Sequence, residues 1–181
     1  LFRLIETVES VGLKCSVVDV SGFALANCFE QNYGVKDKPI ALINIGSGVT
    51  NFVVVDRGEV IFCRDIAIGG AFYTSEIAKA MGVSSREAEA LKISASVGQE
   101  VPEEVNAIIR STNDRILDEI RNSIDFYSAA AGGAPISRLY LSGGSIYLPG
   151  LVTDISRSNG LPYEIFDPFQ KILYDPKVFS F

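Results

Sequence analysis

Two apolar runs meet at a glycine turn in Leu42-Ile-Asn-Ile-Gly-Ser-Gly-Val-Thr-Asn-Phe-Val-Val-Val55, and this segment constrains the chain more than any other. Ile40–Val55 predicts two strands joined at Gly46, Ser47 and Gly48, and Val60–Ala67 predicts a third strand after the Asp56-Arg57-Gly58 turn, so the three form a meander. Glycines in the turn permit positive φ and close backbone approach. Consecutive N–H groups there can converge on a concavity that suits an anion. A hairpin turn with no ligand is the plainer alternative, since a bare Gly-x-Gly is a weak signal.

The rest of the chain supplies helices and one more buried strand. Leu1, Leu4, Ile5, Val8 and Val11 recur at helical spacing up to Gly12. Lys14–Val20 is β-branched and predicts a strand, and Gly22–Phe29 returns to helical spacing before the polar linker that ends at Pro39. Ala71–Met81 predicts a helix, and Ser84-Ser-Arg-Glu87 is a capping box that opens another through about Ile93. A long helix follows Pro102, with one apolar stripe from Val105 to Tyr127 and an end at Ala129–Gly133. Ile136–Leu141 predicts a strand, Ser142–Ser145 a tight turn, Leu148–Ser158 a helix and Tyr163–Phe166 a last short strand. Strands, helices, strand, glycine turn and helix in that order predict an α/β fold with an inserted subdomain.

Composition removes several chemistries. The 181 residues contain no His, so a Ser–His–Asp triad, His-ligated zinc and a His general base are excluded within them. A net charge of −6 argues against neutralising a nucleic-acid backbone, although backbone N–H groups can hold a nucleotide's phosphates without a basic patch. Cys15, Cys28 and Cys63 sit among apolar residues and are expected to be reduced core thiols. No apolar run approaches the roughly 20 residues of a membrane-spanning helix, so a soluble, cytoplasmic protein is expected. The chain opens at Leu1 inside a helical pattern, which is expected of a fragment that lacks N-terminal sequence.

Two further elements stand beside the hairpin. Ser142-Gly143-Gly144-Ser145 follows a strand and precedes Leu148-Pro-Gly-Leu151, placing backbone where α/β sheets take ligands. Glu89 and Lys92 share a helical face. A solvated ion pair worth about 0–1 kcal/mol is the ordinary account of the two, and flanking a nucleoside is the functional one.

The ordered set of hairpin, Arg64-Asp-Ile-Ala-Ile-Gly-Gly70, Ala88-Glu-Ala-Leu-Lys92, Leu141-Ser-Gly-Gly-Ser-Ile-Tyr-Leu-Pro-Gly150 and Pro168-Phe169 resembles the actin/Hsp70/FtsA superfamily. Within it the chain is most similar to the FtsA-like PilM family of type IV pilus assembly. The resemblance implies an actin-like (ribonuclease H-like) lobe with a smaller α-rich insertion. Residues 1–36 would end a first lobe, 37–70 and 134–166 would form the core of the second, 71–133 its inserted subdomain, and 167–181 a tail packing back.

Gly46, Ser47, Gly48 and Thr50 would bind the phosphates of ATP or ADP with Mg, and Glu89, Lys92, Gly143, Gly144 and Ser145 the adenosine. Asn44 stands where most of the superfamily has an Asp on the metal side, so it would act on Mg²⁺ weakly, through the ion's waters at most, and hydrolysis is expected to be slight or absent. The implied function is an ATP-binding scaffold peripheral to the inner membrane. It docks the N-terminal peptide of a PilN-like membrane protein, mostly through the first lobe, and meets other pilus platform proteins. With one lobe, nucleotide binding by this piece alone is expected to be weak or absent. An active ATPase or phosphotransferase, or an FtsA-like cell-division adaptor, is the alternative. Asp56, Glu59 and Asp65 are taken as turn or strand-edge residues.

Overall fold

A computed structural model describes residues 1–131 and 134–173 of the chain. Five strands form one sheet in the order β3-β2-β1-β4-β5, with β1 Ile40–Ile45, β2 Thr50–Asp56, β3 Glu59–Ile66, β4 Leu139–Ser142 and β5 Tyr163–Ile165. The pairs β1–β2 and β2–β3 are antiparallel, whereas β4 runs parallel to both β1 and β5. Helices α1 Phe2–Ser10 and α2 Ser21–Tyr33 precede the sheet. Helices α3 Gly70–Met81, α4 Ser85–Ser96 and α5 Glu103–Ala131 lie between β3 and β4, and α6 Leu151–Asn159 lies between β4 and β5.

Side-chain alternation divides the sheet between two cores. Ala41, Ile43, Ile45, Phe52, Val54, Leu139 and Leu141 point to the layer formed by α3, α5 and α6, meeting Tyr73, Ile77, Ile116, Ile120 and Ile155. Ile40, Leu42, Val53, Val55 and Tyr140 point the other way, to Ala26 and Phe29 of α2 and to Phe166. Strands covered on both faces read as continuous apolar runs, which is why β1 and β2 lack polar alternation. On the inserted side, the Arg64 guanidinium donates to Glu119 at 2.8 Å and to Ser123 at 2.9 Å, fastening α5 to the edge strand β3.

The capping box is present in full: Ser84 Oγ accepts from the Glu87 amide, and the Glu87 carboxylate accepts from the Ser84 amide. Helix α4 runs on to Ser96 and α2 to Tyr33, each beyond the apolar spacing that announces it. The segment after Phe166 is held by α2. Asn32 Nδ2 donates to the Pro168 carbonyl at 3.0 Å, Asn32 Oδ1 accepts from the Lys171 amide at 3.0 Å, and the Tyr33 hydroxyl accepts from the Asp167 amide at 3.0 Å. Residues 174–181 of the predicted tail, and Gly132 and Gly133 at the predicted end of α5, lie outside the described residues.

Two expectations are corrected. Lys14–Val20 is not a strand. Its valines are exposed, Val17 by 80%, and among the described residues no strand pairs with it, so β propensity there finds no ladder to join. Nor are the cysteines core residues: all three are free, Cys15 and Cys28 half-buried and Cys63 exposed on β3.

Helix α2 is the only helix among the described residues in the core on its face of the sheet, and Phe29 is its main anchor, 2% exposed and edge-on to Tyr140 at 4.5 Å. Phe29→Ala should therefore destabilise the protein by roughly 3–5 kcal/mol in denaturant titration. A loss below about 1 kcal/mol would mean that α2 is not docked as described.

Candidate functional site

The β1–β2 turn is built into the start of α3. The Gly46 carbonyl accepts from the Gly70 amide at 2.9 Å, and the Ser47 carbonyl accepts from the Ala71 amide at 2.7 Å, satisfying two of the four amides that a helix N-terminus leaves unpaired. The Gly46 carbonyl also accepts from Ser145 Oγ at 3.3 Å, which brings the Gly143–Ser145 turn to the hairpin. With its carbonyls engaged inward, the hairpin turns amides outward. Among the described residues the N–H groups of Ser47, Gly48 and Val49, all exposed, meet no backbone or side-chain acceptor.

The glycines fall into two groups by what a Cβ would meet. At Gly69 it would lie 2.5 Å from the Gly46 carbonyl oxygen, at Gly70 2.8 Å from Ser145 Oγ, and at Gly143 2.4 Å from the Ile45 carbonyl oxygen. Gly69 and Gly143 are required by the neighbouring backbone, Gly143 also by its φ of +95°, whereas at Gly70 a Cβ would press on the Ser145 hydroxyl. At Gly48 and Gly144 a Cβ meets nothing within 4 Å, and neither has positive φ. Packing and backbone conformation give no reason for glycine at these two positions. The hairpin does not use the positive φ that the sequence suggested: Gly46 is there because a Cβ would sit 3.0 Å from the Val49 carbonyl oxygen.

Gly144 stands on a ridge between two cavities. The smaller, of about 220 Å³, is lined by Gly46, Ser47, Gly70, Glu89, Lys92, Ile93, Ser96, Gly144, Ser145 and Leu148. The larger, of about 600 Å³, lies on the α2 face and takes in Asn44, Asn51, Ser142, Gly143, Gly144 and Tyr147 with residues of α2 and the Phe166–Pro168 segment. Six of the residues singled out from the sequence thus share the smaller cavity, and Asn44 and Gly143 share the larger. Two stand apart. Gly48 is at the exposed tip and lines neither cavity, and Thr50 is fully buried, its hydroxyl donating to the Ile68 carbonyl at 2.7 Å. Thr50 braces the hairpin against the end of β3.

Glu89 and Lys92 are not a simple solvated pair. The Lys92 side chain is 13% exposed, and its ammonium donates to Glu89 at 2.7 Å, to Thr74 Oγ1 at 3.1 Å and to the Gly70 carbonyl at 3.2 Å. Thr74 in turn donates to the Glu89 carboxylate. Burial alone would push the Glu89 carboxyl up, but the hydrogen bonds from Lys92 and Thr74 and the Lys92 charge outweigh it and hold the pKa below the usual carboxylate range. This contact therefore stabilises the fold above the ordinary carboxylate pKa, and the contribution is lost as pH falls through the lowered value.

Sequence inspection missed Asn51, Ser142 and Gly70 as site residues. A visible signal for Asn51 was an amide directly before the apolar run Phe52–Val55. Among the described residues no cluster of three or more acidic or Cys side chains could hold a metal ion. The donor set does not fit a cation held by the protein alone.

This sheet, its two helical layers and its paired glycine turns define an actin-like α/β protein. The chain belongs to the family described as type IV pilus assembly protein PilM, which it matches over residues 3–180. Cell division protein FtsA of Streptococcus pneumoniae serotype 2 is 26% identical over 199 residues, covering 97% of this chain and 42% of that protein. Among solved structures, a PilM-PilN type IV pilus biogenesis complex superposes with a TM-score of 0.85 at 24% identity, covering 98% of this chain and 50% of that one. MreB5 of Spiroplasma citri bound to ADP superposes with a TM-score of 0.68 at 14% identity, covering 93% of this chain and 60% of that one. The chain spans about half the length of the curated relatives it matches. No helix among the described residues is long and apolar enough to cross a membrane.

The two glycines of the turn should respond oppositely to alanine. Gly144→Ala should leave stability within about 0.5 kcal/mol of the parent. Gly143→Ala should cost more than about 2 kcal/mol, through positive φ and collision with the β1 backbone. Denaturant titration of both variants checks this, and the reverse ranking would contradict the assigned geometry.

Proposed function

We propose that this chain is the nucleotide-binding second lobe of a scaffold protein of type IV pilus assembly. In this proposal ATP or ADP crosses the Gly144 ridge, with adenosine in the smaller cavity between Glu89, Lys92, Gly144 and Ser145 and the phosphates over the amides of Ser47, Gly48 and Val49. The observation that carries it is the convergence of hairpin, α4 and Gly143–Ser145 turn on one cavity, with the open Cβ position of Gly144 at its mouth. The outward amides supply donors for an anion in a chain whose net charge is −6. The family, and a likeness in fold to an ADP-bound protein, support the choice of ligand.

The proposal gives this chain's residues binding and positioning roles. Lys92 ties α4 to the first turn of α3 and so fixes the cavity wall, while Ser145 ties the ridge to the hairpin. Mg²⁺ would be held chiefly by the nucleotide's own phosphates, since Asn44 brings no negative charge. Hydrolysis is accordingly slow, and the protein acts as an adaptor at the cytoplasmic face of the inner membrane. We further infer that residues 1–36 end a first lobe, 37–70 and 134–166 form the core of the second, and 71–133 its inserted subdomain, with 167–181 packing back. The partner is the N-terminal peptide of a PilN-like membrane protein, taken mostly by the first lobe. The likeness to a PilM-PilN complex and the exposed apolar side chains of α1, Phe2 and Leu4 among them, support this division.

Titration calorimetry and phosphate release on the full-length protein test the proposal together. ADP and ATP should bind, Gly144→Asp should weaken both at least tenfold (about 1.4 kcal/mol), and turnover should stay well below 1 s⁻¹, under the usual enzyme range of about 1–10³ s⁻¹. Unaltered affinity in Gly144→Asp would remove the site, and faster turnover would replace the scaffold with an enzyme.

A further inference from the structure

A row of polar side chains crosses four strands of an otherwise apolar sheet. Ser142 on β4, Asn44 on β1, Asn51 on β2 and Asp65 on β3 are paired neighbours in register. Their side chains bond end to end: Ser142 Oγ donates to Asn44 Oδ1 at 3.3 Å, Asn44 Nδ2 to Asn51 Oδ1 at 3.1 Å, and Asn51 Nδ2 to Asp65 Oδ1 at 2.7 Å.

The direction of this chain is set at one end. A carboxylate only accepts, so Asp65 obliges Asn51 to turn its amide nitrogen toward β3 and its oxygen toward β1. Asn44 must then turn its nitrogen toward Asn51, because the opposite orientation would bring two acceptors together. The amide nitrogen of Asn44 thereby lies next to the hairpin, 4.0 Å from where a Cβ on Gly46 would be. Asn44, Asn51 and Ser142 all line the larger cavity, immediately past the Gly144 ridge. An amide nitrogen carries two donors, and Asn51 takes one of them.

We propose that Asp65, acting through Asn51, is a positioning residue that fixes Asn44 as a hydrogen-bond donor to the phosphate oxygens of the bound nucleotide. The inference rests on the nucleotide reading above and extends it. Asn44 then serves the anion directly and is not a cation ligand. Asp65 reaches the ligand through two amides without touching it. Asp65 is exposed, lies on the edge strand and belongs to neither core cluster, so replacing it leaves both cores intact.

The test is ATP titration of the full-length protein and of Asp65→Asn, Asn44→Ala and the double variant, each with Mg²⁺ and with EDTA. The amide that Asp65→Asn introduces can donate as well as accept, which frees both neighbouring amides to turn. Asp65→Asn and Asn44→Ala should each weaken ATP binding about tenfold, as expected for one hydrogen bond to a charged group. The double variant should bind no more weakly than Asn44→Ala, because no amide is left to orient, and the losses should be the same in EDTA. Ordinary structural damage from Asp65→Asn would instead persist in the Asn44→Ala background, and that result overturns the proposal, as does wild-type affinity in Asp65→Asn. A parent protein that binds neither ATP nor ADP overturns the nucleotide reading itself.

Discussion

The carbonyl oxygens of Gly46 and Ser47 cap helix α3, and most of the site's geometry depends on that contact. It dictates glycine at 69, since a side chain there would enter the backbone of the hairpin. Because carbonyls and amides of a tight turn point in roughly opposite directions, engaging the carbonyls with α3 leaves the amides facing out. A turn that would otherwise be a plain hairpin becomes a set of exposed donors held by a helix. Lys92 then bonds the Gly70 carbonyl and Ser145 bonds the Gly46 carbonyl, so α4 and the Gly143–Ser145 turn are referred to the same few backbone atoms.

Electrostatics fit the same arrangement. Lys92 is largely buried but surrounded by three oxygen acceptors, so its charge is compensated and its task is to hold two helices together. The donors left for an anion are neutral amides. Neutral amides cost less to desolvate than charges and need no basic surface, so an acidic chain is compatible with the proposed phosphate ligand. The same sparing use of charge appears on the sheet, where two Asn side chains line the larger cavity and the one carboxylate of the row, Asp65, is committed to Asn51. A site of this character is suited to holding a nucleotide more than to splitting it.

Much of the architecture was legible in the sequence because local chemistry determined it. The apolar runs around Gly46–Gly48, the Ser84–Glu87 capping box and the stripe from Val105 to Tyr127 each describe an element whose type is set by its own pattern, even though packing stabilises it. Glu89, Lys92, Gly144 and Ser145 were legible as candidates and do share a cavity. What could not be read depends on register and on partners. Lys14–Val20 has strand composition but pairs with no strand among the described residues, and composition cannot reveal that. Thr50 looks like a ligand residue until the Ile68 carbonyl is found above it. The Ser142–Asp65 row is invisible in sequence because its four members come together only when β4, β1, β2 and β3 are aligned.

Amide hydrogen exchange of the full-length protein with and without ADP tests most directly the claim that this hairpin is half of a phosphate clamp. Slower exchange on ADP binding is expected at the amides of Ser47, Gly48 and Val49 and in the Gly143–Ser145 turn, with the α6 and β5 amides unchanged. Protection confined to other parts of the chain, with Ser47–Val49 exchanging as freely as before, would contradict it.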